Sequence, residues 1–170
     1  MKRFFTFPNP VNEAAARTVA LGVLTMALVA FFTNAAWLLI PLTYGFFARV
    51  AAGPKISPLG QFAARVAGPR ITPWQKSVPG PPKRFAQAMG AFMTAMATIV
   101  WISTGWADAR WILLPLIVAA SFEGLLGYCL GCKIFGLMIR AGWIPEAICL
   151  ECGDLSLRRA ALDDSHITIR

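Results

Sequence analysis

The chain has 170 residues, of which 57% are hydrophobic and 14% charged, with a net charge of +8 and a mean hydropathy of +0.60. A soluble domain carries roughly 25% charged residues, and between Asn12 and Trp106 the only acidic residue is Glu13. These figures exclude an ordinary water-soluble domain. They also exclude a nucleic-acid module, because the basic residues flank apolar runs instead of forming a soluble basic face with aromatic platforms.

Four apolar runs follow in chain order. The first is 14–32, close to the roughly 20 residues needed to cross hydrocarbon. Asn12 is placed as its N-cap and Glu13 favours the positive helix end. Arg17 is expected to extend its stem toward lipid headgroups. The run is longer than the core of a usual signal peptide, and another follows at once, so it reads as a retained span. The second run, 35–52, comes after a turn at Thr33-Asn34 and makes an antiparallel hairpin with the first. The third, 85–106, begins after Pro81-Pro82-Lys83-Arg84. The fourth, 111–128, follows a short polar link, Ala107-Asp108-Ala109-Arg110, in which Asp108 and Arg110 read as a solvated pair. Each run must be helical, since lipid offers no water to open backbone groups. The expected fold is therefore all-α: one membrane domain over 1–170, a bundle of four transmembrane helices with an interfacial cytoplasmic loop layer and a C-terminal segment, 129–170.

Lysine and arginine set the expected orientation. The N-terminal segment, the 49–84 region and the C-terminal part together hold 15 of the 16 basic residues, with only Arg110 on the other side. The positive-inside bias makes the crowded side cytoplasmic, with both termini there. The 53–84 connection contains a near-repeat. Ala48-Arg49-Val50-Ala51-Ala52-Gly53-Pro54-Lys55 is echoed by Ala64-Arg65-Val66-Ala67-Gly68-Pro69-Arg70. Each copy stops a helical turn with Gly-Pro and adds a base, which suits an interfacial belt attracted to anionic lipid.

All four cysteines lie in a C-x2-C-x16-C-x2-C pattern: Cys129 and Cys132, then Cys149 and Cys152. One reading is thiol–disulfide exchange or sulfur handling, which needs an accessible thiolate and a resolving thiol. Gly127 and Gly131 are places where the fourth span can end, letting an amphipathic helix run from near Cys132 to about Arg140. Thiols at its start would feel the positive helix end. A second reading is a structural zinc or iron site of four thiolates, the interval lying within the spacing of known zinc sites. In a third, the first pair only packs at a helix end. Glu123 sits inside the fourth span, where a carboxyl must be neutralised, paired or turned to a polar cavity. On an unbroken helix Cys129 is about 120° from it and Cys132 roughly opposite. A small-solute transporter using Glu123 is a further reading and would call for a homo-oligomer.

The segments Asn9-Pro10-Val11-Asn12-Glu13-Ala14-Ala15-Ala16-Arg17, Tyr44-Gly45-Phe46-Phe47-Ala48-Arg49, Pro82-Lys83-Arg84-Phe85-Ala86-Gln87 and Gly127-Tyr128-Cys129-Leu130-Gly131-Cys132-Lys133 resemble an uncharacterised bacterial membrane family, a domain of unknown function. The resemblance extends to about Trp143. It implies a four-helix domain of the bacterial plasma membrane and, because members often occur beside rhodanese-like and thioredoxin-like genes, a soluble protein of those kinds as partner. Taken together, the expectation is thiol or sulfur chemistry carried by Cys129, Cys132, Cys149, Cys152 and Glu123. It calls for no cofactor, with a zinc- or iron-stapled scaffold as the alternative.

Overall fold

A computed structural model describes residues 11–67, 70 and 77–143. In chain order the elements are β1 (Val11–Asn12), α1 (Glu13–Thr33), a 3-10 turn (Ala36–Leu38) leading into α2 (Leu39–Ala52), and a second 3-10 turn (Gly53–Lys55). Next come the short α3 (Pro58–Phe62), which widens into a π-type turn over Ala63–Ala67, and β2 (Ser77–Val78). The chain closes with α4 (Gly80–Thr104), α5 (Trp106–Ser121), a π-type turn over Phe122–Leu126, and α6 (Leu130–Arg140). Four segments are long and apolar enough to cross a membrane: Glu13–Thr33, Ala36–Val66, Gly80–Thr104 and Trp106–Leu126. The chain is an all-α bundle of the multi-pass membrane type.

Local chemistry explains most of the boundaries. Asn12 caps α1 as expected, its side-chain oxygen accepting from Ala14 N at 2.8 Å. Asn34 ends α1 in the left-handed region, and its Oδ1 accepts from Trp106 Nε1 at 3.0 Å, tying together the two turns at that end of the bundle. Gly105 (φ +105) alone separates α4 from α5. The expected polar link at 107–110 is instead the first turn of α5. Residues two apart on a helix do not face each other, so Asp108 and Arg110 are no pair there; Arg110 stacks on Trp111 at 5.1 Å. At the other end α4 starts five residues earlier than expected, because Pro81 and Pro82 sit in its first turn, where a missing N–H costs nothing. That early start draws Lys83 onto the helix. The pairing of β1 with β2, Val11 opposite Val78, has no counterpart in the expectations from sequence.

α4 packs along α2, α5 and α6, while α1 packs on α5 and on the π-type turn that follows it. Leu39, Leu42 and Leu113 fill the centre. Gly90 of α4 lies directly against the ring of Phe46, leaving no space there for a Cβ.

Arg17 does not reach headgroups. It is buried, and its guanidinium crosses to the end of the fourth span, where Nη2 donates to Leu125 O at 2.7 Å and Nε to Gly124 O at 3.4 Å. These carbonyls belong to a helix end that has no following turn to satisfy it. Gly127 (φ +70) then reverses the chain beside Arg17 and Glu13. Replacing Gly127 with alanine should cost about 1 kcal/mol or more, because a Cβ is disfavoured in the left-handed region. Denaturant unfolding of the detergent-solubilised protein measures it, and an unchanged midpoint would contradict the break.

Candidate functional site

The reversal at Gly127 places Cys129 at the N-cap of α6 in an extended conformation, its sulfur accepting from Cys132 N at 3.3 Å. Cys132 lies one turn into the helix. The pair therefore occupies the positive end of α6, where a thiolate is favoured. Gly131 seats α6 closely on Ala86 of α4, and Phe135 packs on Phe85 with ring centroids 5.5 Å apart. The start of the helix is thus fixed to the bundle. Both thiols are free and half-buried. The expected amphipathic helix is present and begins at Leu130, two residues earlier than anticipated.

Glu123 is brought near the thiols by the same break. The 120° separation holds only for a continuous helix, and the π-type turn with Gly127 removes it. Glu123 forms an ion pair with Lys83 of α4, Nζ to Oε1 at 2.5 Å, both side chains largely buried. Of the alternatives open for a carboxyl at this depth, the structure holds it paired. Lys83 was not singled out as a site residue from the sequence. Its signal was its place on α4, visible only once Pro81 and Pro82 are recognised as a helix start.

The two thiols differ sharply. A hydrogen bond from Cys132 holds the Cys129 thiol below its ordinary value, aided by the Lys83 ammonium and the Cys132 backbone N–H and opposed by burial and by Glu123. Cys132 is pushed far up, first by that same hydrogen bond, then by burial and by the charge on Cys129. Of the two sulfurs, Cys129 is therefore the one favoured to ionise first.

Beside the thiol segment lies a half-open cavity of about 340 Å³, walled mainly by apolar side chains, whose lining includes Glu123, Gln87, Leu130 and Gly131. Among the described residues no group of three or more His, Cys, Asp or Glu is gathered as a metal site. Cys149 and Cys152 lie outside the described residues.

Residues 11–140 match the family described as a domain of unknown function, DUF4395. The chain belongs to that family. The DUF4395 region takes in Lys83, Glu123, Cys129 and Cys132 and stops short of Cys149 and Cys152. No curated protein and no solved structure matches the chain.

The pH dependence of alkylation tests the assignment of the thiolate. In a Cys149→Ser/Cys152→Ser background, iodoacetamide should modify Cys129 with an inflection below the ordinary thiol value of about 8.5. Cys132→Ala should move the inflection up, since the donor is lost, and so should Lys83→Gln, whereas Glu123→Gln should move it down. An inflection unmoved by all three would overturn the assignment. Separately, Glu123→Ala leaves the Lys83 ammonium buried without its carboxylate and should destabilise the fold by about 3 kcal/mol, measured by unfolding in detergent.

Proposed function

We propose that this membrane protein performs thiol–disulfide exchange, or the closely related handling of sulfur, at the cytoplasmic membrane surface, with Cys129 as the attacking thiolate. The observation that carries the reading is the placement of Cys129 as N-cap of α6, its sulfur facing the Cys132 N–H with Lys83 nearby. That surrounding favours a nucleophilic thiolate beside a protonated neighbour, which is what a resolving pair needs.

The exchange runs in two steps. The Cys129 thiolate attacks one sulfur of a disulfide in the partner, forming a mixed disulfide and releasing the partner's other sulfur as a thiolate. Cys132 then loses its proton and attacks the Cys129 sulfur. This closes the Cys129–Cys132 disulfide and releases the partner's second thiolate, so the partner is reduced by two electrons and this chain is oxidised by two. The first step prepares the second. Once Cys129 is in a disulfide, its hydrogen bond and its charge no longer hold the proton on Cys132, and burial is the main cause left to oppose ionisation. Glu123, paired with Lys83, moderates the same field and is a positioning residue on this reading. Cys149 and Cys152 would pass reducing equivalents or sulfur between the first pair and a soluble thioredoxin-like or rhodanese-like protein.

The main alternative is a scaffold closed by zinc or iron on all four cysteines. Metal content and free-thiol count on one sample, purified without reductant or chelator, separate the two. The exchange reading expects no bound metal and two thiols, Cys129 and Cys132, that cycle between free and disulfide states. About one zinc or iron per chain with four protected thiols would replace it with the scaffold. As a direct test, Cys132→Ser should accumulate a mixed disulfide through Cys129 under oxidising conditions, and Cys129→Ser should not. Absence of any adduct from Cys132→Ser would sink the exchange reading.

A further inference from the structure

Near the end of α2, Arg49 is 5% exposed. Its Nε donates to Gln87 Oε1 at 2.8 Å and its Nη1 to Ser57 Oγ at 3.2 Å, both neutral acceptors. The guanidinium lies 4.6 Å over the ring of Phe46. Its Nη2 is buried with no hydrogen-bond partner among the described residues. Glu123, the acidic group whose field reaches it, is bonded to Lys83 instead. Among the described residues this guanidinium is bonded by neutral oxygens only, and the distant field of Glu123 offsets just part of the cost of burying its charge.

Against Arg49 lies a cavity of about 190 Å³, whose wall includes Arg49, Lys83, Gln87 and Asn12. The four come from the start of α1, the end of α2 and the start of α4, so they meet at the end of the bundle where the basic residues gather. Gln87 gives its carbonyl oxygen to Arg49, and its amide nitrogen is the donor that remains. A second space of about 180 Å³ also touches Arg49; apolar groups line it together with Tyr44 and with Ser57, already engaged by Nη1. The 190 Å³ cavity is walled mostly by apolar groups, and Arg49, Lys83, Gln87 and Asn12 are its polar lining.

We propose that this cavity binds a small tetrahedral oxyanion between Arg49 and Lys83, either a free anion such as sulfate, thiosulfate or phosphate, or the phosphate of a lipid headgroup. The guanidinium matches such an anion in shape as well as charge, giving directional N–H donors where an ammonium gives a point charge. The cavity lies at the end of the bundle where the basic residues gather, the end expected to meet the headgroup layer and water. An oxyanion there supplies the negative charge that Arg49 lacks and accepts from Lys83 and the Gln87 amide. This site stands apart from the thiol reading, since none of its binding groups is a sulfur.

The full-length protein, delipidated in detergent, would be titrated with sulfate, thiosulfate and phosphate at constant ionic strength against chloride, by calorimetry. Native mass spectrometry of a gently extracted sample would count retained phospholipid. Saturable binding of one oxyanion per chain with no retained lipid supports the site with the free anion as occupant. One retained anionic phospholipid, displaced by excess phosphate, supports it with a headgroup as occupant. Arg49→Gln should weaken either by about tenfold or more, the range of one charge-assisted hydrogen bond. Because Arg49 also braces Gln87 and Ser57, Ala16→Leu serves as a second variant, filling the cavity from α1 with Arg49 intact, and should abolish binding. Cys129→Ser should retain binding at least as tight as that of the unaltered chain, since no binding group is a sulfur and Lys83 then faces no thiolate. Binding of neither kind, or binding that survives both Arg49→Gln and Ala16→Leu, overturns the proposal.

Discussion

Backbone carbonyls at membrane depth need donors, and a helix that stops there leaves its last turn without them. The fourth span stops in just this way, widening over Phe122–Leu126 and reversing at Gly127. What makes the stop tolerable is Arg17, which crosses from α1 to donate to Gly124 O and Leu125 O. Much else follows from that contact. It ties α1 to the end of the fourth span, and it lets α6 begin afresh at Leu130 and fold back on α4. Above all it makes Cys129 the cap of a new helix instead of a residue at the tail of a continuing one. A continuous helix through Cys132 would set both sulfurs near a negative helix end and remove the reason for either to ionise.

The second constraint is charge. Lys83 and Arg49 are both buried, yet they are handled differently. Lys83 meets Glu123 directly, so their charges offset each other across two helices. Among the described residues Arg49 meets the side-chain oxygens of Gln87 and Ser57 and the face of Phe46, and no carboxylate bonds to it. Burying an ion pair stabilises little by itself, because desolvation consumes most of the attraction. The value of the Lys83–Glu123 pair lies in what it does to its neighbours. Lys83 draws the Cys129 thiol down while Glu123 pushes it up. The net effect of the pair on the sulfur is a difference of two opposed fields, and small movements of either side chain change it.

The four spans were legible because apolar length is nearly sufficient where the solvent is lipid, and Asn12 was legible as a cap because its chemistry is local. The CxxC pair stood out by spacing alone. What was missed depended on distant contacts. Arg17 looks like any basic residue near a helix start until Gly124 and Leu125 are seen to lie against it. Pro81 and Pro82 read as a linker, yet they open α4, and the misplaced start hid Lys83 as the partner of Glu123. The angular separation of Glu123 from the thiols was correct for the helix assumed. It failed because Gly127 adopts a positive φ and the turn before it widens. Trp106 looked like the end of one span and proved to be the start of the next, because Gly105 can make the turn alone. The second cysteine pair, Cys149 and Cys152, falls outside both the described residues and the family match.

The reach of Lys83 links the two sites proposed here. It lines the cavity beside Arg49 and acts through space on the thiols. An anion bound against it takes up part of the field that otherwise favours the Cys129 thiolate. By reciprocity, a thiolate at Cys129 weakens the hold on that anion by the same factor. Formation of a mixed disulfide removes the thiolate charge, so Lys83 would then serve the anion more fully. The proposed exchange and the proposed binding site are therefore coupled in sign without sharing a ligand. The coupling passes through one ammonium group, whose position is set by the early start of α4 and by its bond to Glu123.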